Sequence, residues 1–426
     1  MRKPSLFVIF LTVFVDLIGF GIVLPLLPIY SRNFEAQAIT IGAIMAAYSV
    51  MQFVFAPIWG RLSDRIGRRP VLLVSTAAAA VSYAVFALGS NEQGTTGLLI
   101  LLASRLLAGV CGANITVAQA YIADISPPEQ RSKRMGLIGM AFGLGFVFGP
   151  GLGSLSIKLF GVSGPGWVAA AFCAANFFLT LAILGESWKP GATPIAARPH
   201  FAQWAHTFSQ PKVALLIAIF FLATFCFTCF ETTLGLLISE NFRLDTTRLQ
   251  DATISGYLFA YCGIVGAFVQ GGAIGRLVKK FGEPKLIALS LVIFGVSLAP
   301  LPFIKGGTVL SWGVLWRPEG HPWLVLLLFL GTLSIGSSLT RPPVFGLISI
   351  LTPAHEQGAT LGVAQSAGSL ARIIGPIAAG AFYQFRPSTP YMVCAAISLA
   401  TAIFAWMALC RGATAVPAGA TTSSSN

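Results

Sequence analysis

The sequence predicts an all-α membrane protein: twelve transmembrane helices in two pseudo-symmetric six-helix bundles, with both termini cytoplasmic. Three observations carry this. Of 426 residues, 55% are hydrophobic and only 10% charged, and mean hydropathy is +0.80, far outside the range of a soluble globular chain. Twelve apolar runs each approach or exceed the roughly 20 residues a helix needs to cross about 30 Å of hydrocarbon. Finally, segments of the second half repeat segments of the first.

In order, the runs cover 6–30, 39–60, 69–90, 97–124, 134–158, 165–186, 212–238, 252–275, 284–304, 322–347, 358–383 and 389–411. The first is too long for the apolar core of a signal peptide and has no small-residue cleavage site, so it reads as a retained span. Between the sixth and seventh lies a polar stretch, 187–211, read as a cytoplasmic linker between an N-terminal bundle (1–186) and a C-terminal bundle (212–411). The tail 412–426, GATAVPAGATTSSSN, has no apolar face and is expected to be disordered. With both ends inside, the loop lysines and arginines divide 17 cytoplasmic against 7 external, leaving Arg105, Arg341 and Arg372 within spans. That bias fits the positive-inside rule. The formal charge of +13 therefore reflects topology, and no nucleic-acid motif accompanies it.

The repeats are local and gapless. SPPEQRSKRMG before span five aligns with TPAHEQGATLG before span eleven, and Gly149-Pro150 recurs as Gly375-Pro376 at the same offset. SRNF after span one matches SENF after span seven, and GRLVKKFGEP (275–284) is a worn copy of GRLSDRIGRRP (60–70) in which Lys279 replaces Asp64. Duplicated bundles of this kind suit a transporter whose site lies between them.

The loop Gly60–Pro70 is the most informative stretch. Gly60 and Gly67 allow tight turning, Pro70 suits a first helical turn, and Asp64 and Arg68 are four apart, so they share a helix face. Arg65 and Arg69 add to its positive charge. The pattern G-x-L-x-D-R-x-G-R-R-P resembles the signature loop between spans two and three of the major facilitator superfamily. By that resemblance Arg68 pairs with Asp124 at the end of span four, and Asp64 faces the start of span eleven near Gly358 to Thr360. Together with Gly60, Arg65, Gly67 and Arg69 they would form a conformational latch.

Asp16 lies inside span one, in FVDLIGFGIVLPLLP. A charged carboxylate at mid-bilayer costs roughly 2.5–3.5 kcal/mol on insertion scales, so it is neutral, paired or facing water. In a water-filled cavity it can bind and release a proton. Gly19, Gly21, Pro25 and Pro28 weaken the helix just beyond it and suit a span that bends or admits a substrate. Arg105 is its partner by charge; it resembles the superfamily's fourth-span motif, in which this arginine assists proton transfer, with Ala108 where a glutamine is usual. Glu231, in span seven, is either a second proton or cation site or a carboxyl near the outer mouth. Arg372 could hold an anionic substrate group or neutralise Glu231, Gln52 lines the cavity, and Arg341, before Pro342-Pro343, snorkels inward.

Span five carries Gly136, Gly145, Gly149, Pro150 and Gly153 in MGLIGMAFGLGFVFGPGLGS. Glycines at near-helical spacing let helices pack backbone to backbone, and the Gly-Pro step introduces a bend. The spacing is similar to the superfamily's antiporter motif, apart from Ser154 where a second glycine is usual, and this implies export in exchange for protons. The likeness extends over nearly the whole first half to the twelve-span drug:proton antiporters, and within them to bacterial tetracycline efflux proteins. Where those place acids in spans three and nine, this chain has Ser82 and Phe294, which argues against a metal-chelated substrate.

The resemblance thus implies a secondary active transporter exporting small amphipathic compounds, of drug or metabolite class, by alternating access in a cell's inner (plasma) membrane, working as a monomer. The alternatives are proton-coupled uptake of a sugar or organic acid and, more remotely, a non-transporting sensor or scaffold. No ATP-binding loop, zinc spacing or nucleophile elbow is present, so no enzyme, cofactor or metal is expected and the proton gradient is the driving force. Cys226 and Cys229, three apart without matching ligands, read as packing residues.

Overall fold

A computed structural model of the chain describes residues 4–23, 38–92, 94–112, 114–188, 200–243, 249–307 and 320–410. All regular structure in it is helical. The first half comprises α1 (Leu6–Val23), α2 (Ala38–Ile66), α3 (Arg68–Asn91), α4 (Gly94–Cys111), α5 (Asn114–Asp124), α6 (Pro128–Phe160) and α7 (Gly164–Ile183). After α8 (His200–Phe208), the second comprises α9 (Pro211–Asn241), α10 (Leu249–Phe268), α11 (Ile274–Phe281), α12 (Glu283–Leu298), α13 (His321–Leu351), α14 (Gln357–Phe385) and α15 (Thr389–Ala405). Among the described residues, 10 helical stretches are long and apolar enough to cross a membrane. Two further long helices, α2 and α14, carry the runs expected at 39–60 and 358–383.

Helix starts follow from local chemistry. Helices α6, α7, α9, α12, α13 and α15 each begin with a proline in the first two positions, where its missing N–H costs nothing. The two duplicated loops turn on glycines at equivalent places, Gly67 (φ +100°) and Gly282 (φ +73°), a left-handed region that side chains disfavour. Between α10 and α11 the helix widens into a π-turn, Val269–Ala273.

The linker, a polar stretch in the sequence, is partly helical. It contains α8, too short to register as an apolar run, which is held by tertiary contacts. Trp204 packs against Phe53 of α2 with ring centroids 5.6 Å apart, and His206 Nε2 lies 3.1 Å from Glu356 Oε2, just before α14. This short helix therefore touches both halves. Residues 189–199, the tail 412–426, Pro25 and Pro28 lie outside the described residues.

The cores show how the halves meet. At the end bearing the Gly60–Pro70 loop, one apolar cluster joins them, combining Val71, Tyr121 and Met135 with Phe220, Phe345 and Leu361. At the opposite end each half keeps its own cluster, one around Phe86, Leu101 and Cys173 and one around Phe230, Leu298 and Trp323. The bundles are fused at the loop end and separate at the other.

Because lipid tails are as apolar as leucine, contact between such helices depends on close packing. Gly21 of α1 rests against the Gly145 carbonyl and Gly149 of α6, while Gly143 of α6 rests against the Gly263 carbonyl of α10. A Cβ on Gly149 would overlap the Gly21 backbone, which cannot rotate aside, whereas one on Gly151 would meet nothing within 4 Å. Gly149→Ala is accordingly expected to destabilise by about 1–3 kcal/mol through overpacking. It should lower the melting temperature of the detergent-solubilised protein by several degrees, with Gly151→Ala unchanged.

Candidate functional site

Above the shared core, between the halves, lies a cavity of about 1050 Å³, at the upper end of the range for small-molecule sites. Asp16, Gln52 and Arg105 reach it from the first half, and Glu231, Arg341 and Arg372 from the second. Its apolar surface includes Phe20, Phe142, Phe227 and Phe259.

Asp16 is half-buried on α1, flanked by the Asn114 side chain and by Cys173 Sγ at 3.9 Å. It shares the cavity with Arg105, but the two form no ion pair among the described residues. The Arg105 guanidinium turns instead onto two rings of α3, 5.7 Å from the Tyr83 centroid and 5.4 Å from that of Phe86. Its Nε and Nη2 are buried without a hydrogen-bond partner.

The polar wall between the halves centres on Gln52. Its Oε1 accepts from Arg372 Nη2 at 3.0 Å and from Ser369 Oγ at 3.3 Å, and its Nε2 donates to the Tyr48 hydroxyl at 2.9 Å. Arg372 is the cation that acts on Glu231, although they too form no ion pair among the described residues. Lower down, Gln365 Nε2 donates to Gln119 Oε1 across the halves at 3.3 Å.

At the loop end a charged cluster bridges the bundles. Asp64, buried at the end of α2, accepts backbone N–H groups at the start of α14: Gly358 N to Oδ1 at 2.9 Å and Ala359 N to Oδ2 at 2.8 Å. A carboxylate against a helix's positive end is a favourable pairing. Arg68, fully buried, donates from Nη1 to Asp64 Oδ1 at 2.5 Å and from Nε to Asp124 Oδ2 at 3.0 Å. Gly60 makes this approach possible, since a Cβ there would overlap the Gly358 carbonyl.

A model of the Major Facilitator Superfamily matches residues 9–317 and 274–424. The class E tetracycline resistance protein of Escherichia coli is 32% identical over 383 residues, covering 88% of this chain and 87% of that one. The chain belongs to the major facilitator superfamily. Multidrug resistance protein 2 of Bacillus subtilis is 26% identical over 397 residues, covering 92% of each. Among solved structures, the human organic anion transporter MFSD10 (TETRAN) shares the fold with a TM-score of 0.76 at 24% identity, covering 95% of this chain and 100% of that one. Superfamily members are transporters rather than enzymes, and this is a multi-pass membrane transporter related to drug-resistance proteins.

Within that superfamily fold, several residues stand elsewhere than the sequence suggested. Gly19 and Gly21 do not line the cavity: a Cβ on Gly19 would meet Tyr83 and Cys173, and Gly21 is packed on α6. Their small size serves helix packing, and Pro25 lies outside the described residues. Arg65 is exposed, because it follows Asp64 by one residue and so points about a quarter-turn away. Arg69 donates to the Leu181 carbonyl at 3.0 Å, so neither arginine joins the cross-bundle cluster. Arg341 does not snorkel; it sits on the cavity wall with Ser334 and Ser338, one polar stripe at positions i, i+4 and i+7 of α13.

The span-five glycines divide their contacts. Gly145 and Gly149 face α1, Gly136 faces the Gln270 carbonyl of the π-turn, and Gly153 is buried. The Pro150 side chain is outside what the structure describes. Ser82 and Phe294 both line the cavity.

Two further contributors went unread in the sequence. Glu186, just after α7, accepts the first two backbone N–H groups of α3, Arg68 N to Oε1 at 2.9 Å and Arg69 N to Oε2 at 3.0 Å, and so anchors the loop. Glu283 stands in the worn second loop where Arg68 stands in the first, and it accepts from Ser132 Oγ at 3.1 Å. The second loop thus keeps an acid and a cross-bundle contact. Its sequence signal is the glutamate in GRLVKKFGEP, four residues beyond the loss of the acid at Lys279.

Proposed function

We propose that the protein is a twelve-span secondary transporter of the inner (plasma) membrane, with both termini cytoplasmic, which exports small amphipathic compounds in exchange for protons by alternating access. One observation carries this reading: a cavity containing an ionisable carboxyl, Asp16, lies above a fused, latched end and below two separate cores. The positive-inside bias supports a cytoplasmic latched end, and on that reading the arrangement is outward-facing. The mixture of aromatic rings and charged groups on the wall suits an amphipathic ligand, and the similarity to resistance proteins supports export. Ser82 and Phe294 in place of acids speak against a metal chelate as cargo. Protons are the only co-substrate required, no cofactor takes part, and each monomer holds a complete cavity. Each proton entering down 100 mV contributes about 2.3 kcal/mol to pumping.

Proteoliposomes carrying an imposed pH gradient test the proposal. Adding a transported amphipathic dye or antibiotic should dissipate the gradient only in vesicles containing the protein, and the compound should accumulate on the acidic side. Accumulation at the same rate and to the same level after an uncoupler has removed the gradient would refute proton coupling.

A further inference from the structure

Arg341 has an environment that the transport reading leaves unused. Its guanidinium is held between two aromatic rings from opposite halves, 5.2 Å from the centroid of Phe142 on α6 and 5.3 Å from that of Phe220 on α9. Phe220 is braced edge-on by Phe345 at 4.8 Å. Arg341 Nε is buried with no hydrogen-bond partner, and the charge that reaches the guanidinium is another cation, Arg372. Nearby, the Gln270 side chain from the π-turn presents a buried Oε1 without a partner, and a void of about 10 Å³ lies against Arg341 between Gln119 and Phe345. That is room for one water.

Two of the other cavity charges are partly answered. Arg372 donates to Gln52 and Ser369 and feels Glu231, and Asp16 has Asn114 and Cys173 beside it. Arg105 also has buried donors without a partner, but both of its rings, Tyr83 and Phe86, lie on α3, whereas among the described residues Arg341 combines cavity access and a free donor with rings from both halves. The ring contact from Phe142 makes it a tie between the bundles as well.

We propose that Arg341 receives an acidic group of the substrate, a carboxylate or sulfonate on an amphipathic body, and that this pairing draws the guanidinium off Phe142 and so loosens the bundles' contact at the cavity floor. The inference rests on the cavity being the substrate site. It adds the substrate's charge and the means by which occupancy reaches the closed end. A cation–π contact is weaker than a charge-assisted hydrogen bond in a dry site, so an anion can displace the ring, whereas a neutral analogue cannot.

The test is equilibrium binding to the full-length protein in phosphatidylcholine nanodiscs, without a proton gradient, so that failure of proton coupling cannot be mistaken for failure here. Dansylglycine and its uncharged amide, dansylglycinamide, are the probes. The carboxylate should bind at least about tenfold more tightly than the amide, the scale of a hydrogen bond to a charged group. Arg341→Gln should erase that ratio while keeping amide affinity, and Arg341→Lys should retain part of it. Phe142→Ile, which keeps an apolar side chain but removes the competing ring, should raise the carboxylate-to-amide affinity ratio several-fold, whatever it does to the affinity common to both probes. Equal binding of the two probes by the wild type, no carboxylate binding at millimolar concentration, or a ratio that survives Arg341→Gln overturns the anion site. A Phe142→Ile variant with an unchanged or lower carboxylate-to-amide ratio overturns the coupling.

Discussion

Asp16→Asn is expected to reduce gradient-driven export to the level of protein-free liposomes while leaving substrate binding and substrate-for-substrate exchange in place. Asparagine has the shape of the protonated acid and can occupy the same position beside Asn114 and Cys173, so the cavity is preserved and only the exchangeable proton is lost. The effect should be all-or-none for coupling, because a carrier that cannot pick up the proton cannot use the roughly 2.3 kcal/mol per charge that each 100 mV supplies. Flux into reconstituted vesicles, with and without a pH gradient, separates the two activities. If Asp16→Asn still accumulates substrate under the gradient, the proton site lies elsewhere, and Glu231→Gln becomes the variant to compare. If exchange is lost together with coupling, Asp16 holds the substrate rather than the proton.

That Asp16 reaches the cavity was legible in the sequence, because a carboxylate in an apolar run is conspicuous. What sequence could not supply was its distance from Arg105. Both lie within spans, and opposite charge suggested a pair, but the rings of Tyr83 and Phe86 offer the guanidinium an alternative partner that only packing reveals. The Gly60–Pro70 loop was legible to the level of individual partners because it is long, local and charged; Arg65 and Arg69 were misjudged because positive charge alone does not say which way a side chain points. Gly19 and Gly21 show the commonest ambiguity: a glycine that admits a ligand and one that admits another helix look the same in one dimension. Arg341 differs from its sequence expectation for another reason. Reading it alone suggested snorkelling, whereas reading it with Ser334 and Ser338 marks a polar stripe on one face of α13. The short linker helix and Glu186 left almost no trace, since each acts through contacts far along the chain, Trp204 with Phe53 and Glu186 with Arg68 and Arg69.

Asp64→Asn should shift the resting population away from the latched state and abolish turnover while sparing substrate binding. In the latched state Asp64 accepts from two backbone N–H groups of α14 and from Arg68. Asparagine keeps one acceptor oxygen but presents an NH₂ group to the remaining donors, and Arg68 is left buried with Asp124 as its one acid. Removing one partner of a buried ion pair typically costs about 3–5 kcal/mol. If the cost falls only on the latched state, even 3 kcal/mol moves the balance between orientations by roughly a hundredfold. Spin labels at Arg65→Cys and His355→Cys, exposed sites on opposite sides of the seam, would report this in a cysteine-free background. The wild type should show mainly the short distance, and Asp64→Asn mainly a longer one. Gly358→Ala provides a second route to the same result, since its Cβ would crowd the Gly60 carbonyl and the Asp64 carboxyl without altering any charge. Should both variants keep the short distance, the cluster contributes packing rather than switching. If Asp64→Asn changes the distance but also loses binding, the latched state itself is the one that recognises substrate, and release of the latch cannot be a step independent of occupancy.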